Sequence, residues 1–178
     1  MLDRVHPELS FLMDRTEAFA KRFIMNCRAN PQLLIVTGPC GNGKTRLAMG
    51  CYRYVCALAV TGWQCGWWSN KVPSCGFYHW SCLASVNHED REGLWRDAIE
   101  SDFAVLDDVG SETDRFKSGE PIENLRLMLG ARDGKSTLIT TNIPESQWAA
   151  KWGGRVEDRL YRRSEIVTLA NVPSYYAP

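Results

Sequence analysis

The chain has 178 residues, 44% of them apolar, with 21 Lys plus Arg against 21 Asp plus Glu, which suits one buried core and one compact domain. With 24% charged and 11% aromatic residues it is too apolar to be disordered, and its longest purely apolar run, Val55 to Val60, is too short to cross a bilayer. Met1-Leu2-Asp3-Arg4 leads into His6, Pro7 and Glu8 without a secretory pattern, and seven cysteines without a C-x-x-C pair suit reduced thiols, so a cytoplasmic protein with no membrane partner is expected. Cys65, Cys75, His79 and Cys82 stand close together, but their spacing matches no common zinc module.

Charge is unevenly spread. Ala18 to His88 holds seven Lys or Arg and no acid, whereas Glu89 to Asp133 holds thirteen acids and six bases. A polyanion is drawn to the first stretch and repelled by the second. A phosphate site plus chance and a nucleic-acid face both account for this.

In chain order, Leu9 to Phe23 carries apolar residues at helical spacing, with Ser10 as a cap, and Asn30-Pro31 ends that helix or its following turn. Leu33 to Thr37 is a short apolar run that fits a strand buried on both faces. Lys44 to Ala59 is helical, with Leu47, Cys51, Tyr54, Val55 and Leu58 on one face and Gly62 placed for a left-handed cap. Trp63 to Trp68 reads as the next strand, and Pro73 to Cys82 fits either a helix or an extra strand. Leu94 to Ile99 is helical, Phe103 to Leu106 a buried strand ending in Asp107-Asp108, and Ser111 to Pro121 a polar loop. Ile122, Leu125, Met128 and Leu129 form a helical face, and Thr137 to Thr141 is a strand that stops at Asn142-Ile143-Pro144. Helices follow around Glu145 to Trp152 and Arg155 to Arg163, and Ile166 to Leu169 is a last strand. Strands alternating with helices at this spacing imply an open parallel sheet covered on both faces.

Gly38-Pro39-Cys40-Gly41-Asn42-Gly43-Lys44-Thr45 satisfies G-x-x-x-x-G-K-[ST] between a strand and a helix, the context a P-loop requires. Backbone N–H groups and the helix N-terminus would cradle phosphates, Lys44 would reach the β- and γ-phosphates, and Thr45 the magnesium ion. The neighbouring Arg46 completes the candidate ATP-binding segment. At the end of Phe103 to Leu106, Asp107 would hold magnesium, usually through water, and Asp108 would orient or deprotonate the attacking water.

These motifs, with Leu106-Asp107-Asp108-Val109-Gly110, Thr140-Thr141-Asn142 and Gly154-Arg155-Val156-Glu157-Asp158-Arg159-Leu160, resemble the AAA+ ATPases of the DnaC-type helicase loaders and the related IstB-type transposition helpers. The resemblance runs from about Pro31 to Tyr176. It implies that Asn142 reads the γ-phosphate and that Arg159 reaches the nucleotide of a neighbouring subunit, with Arg155 and Arg162 as rivals for that role. It also implies a homo-oligomer joined through Arg159, a replicative helicase or transposase as partner, and contact with single-stranded DNA. Trp63, Trp67, Trp68, Phe77, Tyr78 and Trp80 around Lys71 suit stacking on unpaired bases, although aromatics in and after an edge strand more often serve a core or a protein interface.

The chain departs from the family in three ways. Only about thirty residues precede the first strand, fewer than the loaders' helicase-binding domain, so this is the ATPase portion or it engages its partner differently. Ser174-Tyr175-Tyr176 stands where these loaders end in Ser-Tyr-Arg, which removes a second arginine sensor and implies weak hydrolysis. The second acid is Asp108 rather than Glu, one methylene farther from the water.

The expectation is an α/β P-loop NTPase with a AAA+ core, its lid reduced or absent, spanning 31–178 after an N-terminal helical segment at 1–30. Readings outside the ATPase class are a small-molecule or nucleotide kinase and a nucleotide-gated binding protein with little turnover.

Overall fold

Apolar runs and helical periodicities resolve into five strands and seven helices among the described residues of the computed structural model, namely 7–26, 33–65, 72–84, 91–112, 119–162 and 164–169. The strands are β1 Leu33–Thr37, β2 Cys75–His79, β3 Phe103–Val109, β4 Ser136–Thr141 and β5 Ser164–Thr168. The helices are α1 Pro7–Asn26, α2 Lys44–Gln64, α3 Trp80–Ala84, α4 Arg91–Glu100, α5 Glu120–Ala131, α6 Trp148–Trp152 and α7 Gly154–Tyr161, with a 3-10 turn at Glu145–Gln147 ahead of α6.

The sheet has the order β2-β3-β4-β1-β5 and every pair is parallel. Parallel strands need crossovers, and the crossovers cover both faces, so strand residues of both parities are buried. Leu34, Val36, Phe103, Val105 and Leu138 join Phe19 and Phe23 of α1 and Val55 of α2 in one core. Ile35, Leu106 and Ile139 point the other way and meet Trp80, Leu125, Met128, Trp148, Val156 and Leu160 in a second core. The rings of Phe19 and Phe23 lie 6.0 and 5.3 Å from that of Phe103, and Arg22 of α1 pairs with Glu165 of β5 at 2.7 Å, so α1 is fixed to the sheet by packing and charge. Each such fully buried large side chain contributes roughly 1.5–3 kcal/mol by leaving water. No helix among the described residues is long and apolar enough to cross a membrane.

Parallel strands all end at one edge, and chemistry gathers there. The segment after β1 is Gly38 to Thr45, β3 ends with the two aspartates, and β4 runs into Asn142. Because β4 lies between β1 and β3, its tip sits between the glycine-rich loop and the acids.

Two local expectations are corrected. Helix α2 does not stop at Gly62: that residue is buried, does not have a positive φ, and is followed by a Cys65 N–H bond to the Thr61 carbonyl at 2.9 Å. The glycine is therefore not a left-handed cap, and helix propagation across it carries Trp63 and Gln64 into α2 instead of a strand. The edge strand is Cys75–His79, and α3 follows it at once, so the undecided Pro73 to Cys82 stretch contains both a strand and a helix. Trp80 is 0% exposed and belongs to the second core, so it is not available to stack on bases. Phe77 and Tyr78 are half-buried against opposite cores, while Trp67, Trp68, Lys71 and the side chain of Trp63 lie outside the described residues.

Candidate functional site

Gly41 and Gly43 adopt φ values of 83° and 86°, which side-chain-bearing residues rarely reach, and these turns coil the loop into the start of α2. Gly38 is required for another reason: a Cβ there would lie 2.8 Å from the Leu169 carbonyl oxygen and 2.9 Å from its Cβ. Lys44, the first residue of α2, turns back into the loop and donates to the carbonyls of Gly38 at 2.8 Å and Pro39 at 2.6 Å. Burial pushes its pKa below the ordinary lysine value, against a smaller opposing pull from Cys40, Asp108 and Asp107. A largely desolvated ammonium whose hydrogen bonds go to carbonyl dipoles is matched to a polyanion.

Adjacent residues of a regular strand point to opposite faces, so Asp107 and Asp108 could not both face the loop from an ideal β3. The strand is not ideal there. Leu106 pairs with Ile139 and Val109 with Thr141, so β3 spends three steps where β4 spends two. Within this bulge Asp108 has φ 61°, the one positive φ of a non-glycine among the described residues. A bulge re-aims side chains, and an Asp in the left-handed region is a local strain retained at functional sites.

The two carboxylates then have separate partners. Asp107, 1% exposed, accepts from Thr45 Oγ1 at 3.1 Å on Oδ2 and from Thr140 Oγ1 at 2.7 Å on Oδ1. Asp108 accepts from Asn142 Nδ2 at 2.7 Å, and its own N–H donates to Thr140 Oγ1 at 2.8 Å. Thr140 thus ties both acids to the end of β4. Cys40, Gly41, Gly43, Lys44, Thr45, Arg46, Asp108, Thr140 and Asn142 line one pocket of ≈ 250 Å³. The Thr45 hydroxyl beside the Asp107 carboxylate is an oxygen donor set of the kind hard cations take, so these residues fit a magnesium ion.

Of the residues expected at the site, Gly38, Pro39, Cys40, Gly41, Gly43, Lys44, Thr45, Arg46, Asp107, Asp108 and Asn142 are brought together. Asn42 is in the same loop, but its side chain is buried and donates to the Leu169 carbonyl at 3.1 Å, anchoring the loop to the segment after β5. Arg159 does not join its own P-loop. It donates to the Arg126 carbonyl of α5 at 2.6 Å and lines a second pocket of ≈ 310 Å³ at the N-terminal ends of β1 and β4. Arg162 lines that pocket too and pairs with Asp158 at 2.7 Å, while Arg155 is exposed.

Two residues at the site escaped sequence reasoning. Thr140 is quoted in the Thr-Thr-Asn motif, yet its function as a bridge between the acids shows only in three dimensions; a hydroxyl at the end of an otherwise apolar strand was the available signal. His79 ends β2, stands opposite Asp107 in the register and brings Nδ1 to 3.3 Å from Asp107 Oδ2. Its only sequence signal was a place among cysteines whose spacing matches no common zinc module.

No protein-family model and no curated protein matches the chain. Solved structures do. A crystal structure of the DnaC helicase loader superposes with TM-score 0.70 at 24% identity, covering 94% of each chain. A structure of DnaI gives TM-score 0.65 at 17% identity over 94% of this chain and 87% of that one. The replication initiator DnaA bound to AMPPCP and single-stranded DNA gives 0.60 at 13% identity, with 85% of this chain matching 44% of the initiator. The likeness is one of fold: the five-stranded parallel sheet and its covering helices form a P-loop AAA+ fold, as the resemblance implied.

Proposed function

We propose that this chain is a AAA+ ATPase that binds ATP with magnesium in the Gly38 to Thr45 pocket and works in replication initiation like a replicative helicase loader, contacting single-stranded DNA. One observation carries the reading: the P-loop lysine, two separately tethered aspartates and an asparagine converge at one edge of the sheet, from the ends of β1, β3 and β4. The loader role is favoured by the likeness to the DnaC helicase loader, which extends over nearly the whole of both chains.

The division of work follows from the contacts. Lys44 would exchange its carbonyl partners for phosphate oxygens, and the charge penalised by burial would gain an anionic partner. Thr45 and Asp107 would hold magnesium, which when bound neutralises charge on the phosphates. Asp108 would accept the proton of the attacking water or orient it, and Asn142, fixed to Asp108, would hydrogen-bond both that water and a phosphate oxygen. Arg159 would act on the nucleotide of a neighbouring subunit in a homo-oligomer. Its position outside its own pocket, with one of five guanidinium N–H groups on the Arg126 carbonyl, supports such a role.

ATP turnover of the wild type and of Asp108→Asn, each with and without single-stranded DNA and the replicative helicase of the same cell, tests this. Asn retains the acceptor for Asn142, so ATP binding should persist while turnover falls about 100-fold or more. Equal turnover in both proteins, or phosphate transfer to an acceptor nucleotide instead of water, would contradict it.

A further inference from the structure

The magnesium-binding acid has a third neighbour that the P-loop reading does not use. His79 closes β2 at the sheet edge, and its Nδ1 lies 3.3 Å from Asp107 Oδ2, the oxygen that also accepts from Thr45 at 3.1 Å. The ring is 60% exposed, so it is not there to fill a core. Its placement is nonetheless defined: the β2–β3 register sets His79 against Asp107, and the Phe77 ring two residues earlier meets the imidazole edge-on at 5.6 Å and 75°.

We propose that His79 is a nitrogen ligand of the metal site, so that the ion accompanying the nucleotide is held by Thr45, Asp107 and His79, and manganese or cobalt is accepted in preference to magnesium. Two donors about 2.1 Å from one octahedral ion, in adjacent positions, lie about 3.0 Å apart. The 3.1 and 3.3 Å separations around Asp107 Oδ2 both match that spacing. Magnesium favours oxygen donors, whereas the affinity of an imidazole for first-row divalent ions rises from manganese through cobalt. Adding a nitrogen to a hydroxyl and a carboxylate therefore shifts preference toward the transition ions.

This rests on the nucleotide reading above, and the test separates the two. The full chain is loaded with Mn²⁺ and a non-hydrolysable ATP analogue, and electron spin-echo modulation is recorded for wild type, for wild type grown with ¹⁵N-histidine, and for His79→Ala. Calorimetry in parallel compares the Mn²⁺ and Mg²⁺ complexes. The wild type should show a nitrogen coupling that changes isotope with the histidine label and vanishes in His79→Ala. The same variant should lose about tenfold of Mn²⁺-dependent affinity, a larger loss than it shows with Mg²⁺, and melt like the wild type because the side chain is exposed. Nucleotide bound with no histidine coupling on manganese, or a coupling that survives in His79→Ala, overturns the proposal alone. Failure of the wild type to bind nucleotide with either ion overturns the nucleotide reading and this proposal with it.

Discussion

Lys44 illustrates how a binding residue is kept at the expense of the fold. Its lowered pKa means the folded chain resists protonating it; that cost is fully present below the folded pKa and fades as pH rises toward the ordinary lysine value. Lys44→Met, similar in length and uncharged, should therefore melt at or above the wild-type temperature near neutral pH. Any advantage should shrink in a series of melts at alkaline pH. A large loss of melting temperature would mean that the two carbonyl bonds, not the phosphate, are the reason for the lysine. Thr140 predicts the opposite balance. Thr140→Val leaves the Asp107 carboxylate and the Asp108 N–H without their shared partner, which should cost about 1–3 kcal/mol in urea denaturation and lower turnover more than ATP affinity. A stability change near zero would remove Thr140 from the support of the acids.

Among the elements, α4 and β4 show what holds the end of the sheet opposite the site in place. Arg132, 3% exposed, sends its guanidinium to the carbonyls of Ala98, Ser101 at 3.0 Å and Ser136 at 2.7 Å, and to Thr137 Oγ1 at 2.9 Å. Lys135 adds the Ile99 carbonyl at 2.5 Å. Together they close the C-terminal end of α4 with cations, where the helix dipole favours them, and join it to the start of β4. Burial lowers the Arg132 pKa to about 10, still charged at neutral pH. Arg132→Met should lose about 2–4 kcal/mol in urea denaturation, because several buried carbonyls lose their donor, while ATP affinity of the folded protein is unchanged. A loss below about 0.5 kcal/mol would show that water replaces the guanidinium. The same elements mark what the sequence could reveal. The P-loop and the β3 acids were legible because their chemistry is local: a fixed spacing between an apolar strand and a helix. The bulge at Asp108 was not, since it arises from pairing with β4, and neither was the His79–Asp107 meeting, which depends on strand order. Trp63 was misread because an aromatic run suits a strand, a helix or a core until its neighbours are known, whereas Trp80 took the core place that such aromatics more often fill.

At the scale of the molecule, strand order separates two regions. The P-loop pocket opens at the C-terminal ends of the strands, and the pocket with Arg159 and Arg162 at the N-terminal ends of β1 and β4. If Arg159 serves a neighbour's nucleotide, Arg159→Ala binds ATP like the wild type but turns it over poorly, and mixing it with Lys44→Ala restores part of the activity. Each contact then pairs an intact pocket with an intact arginine. Wild-type turnover strictly proportional to protein concentration, with no recovery on mixing, would assign Arg159 to its own chain. All of this presupposes that the edge formed by β1, β3 and β4 is a nucleotide site, and calorimetric titration of ATP with magnesium into the wild type and Lys44→Ala tests that most directly. The account predicts saturable one-to-one binding by the wild type and none by the variant, with both proteins folded; equal affinity in the two, or no binding by the wild type, would contradict it.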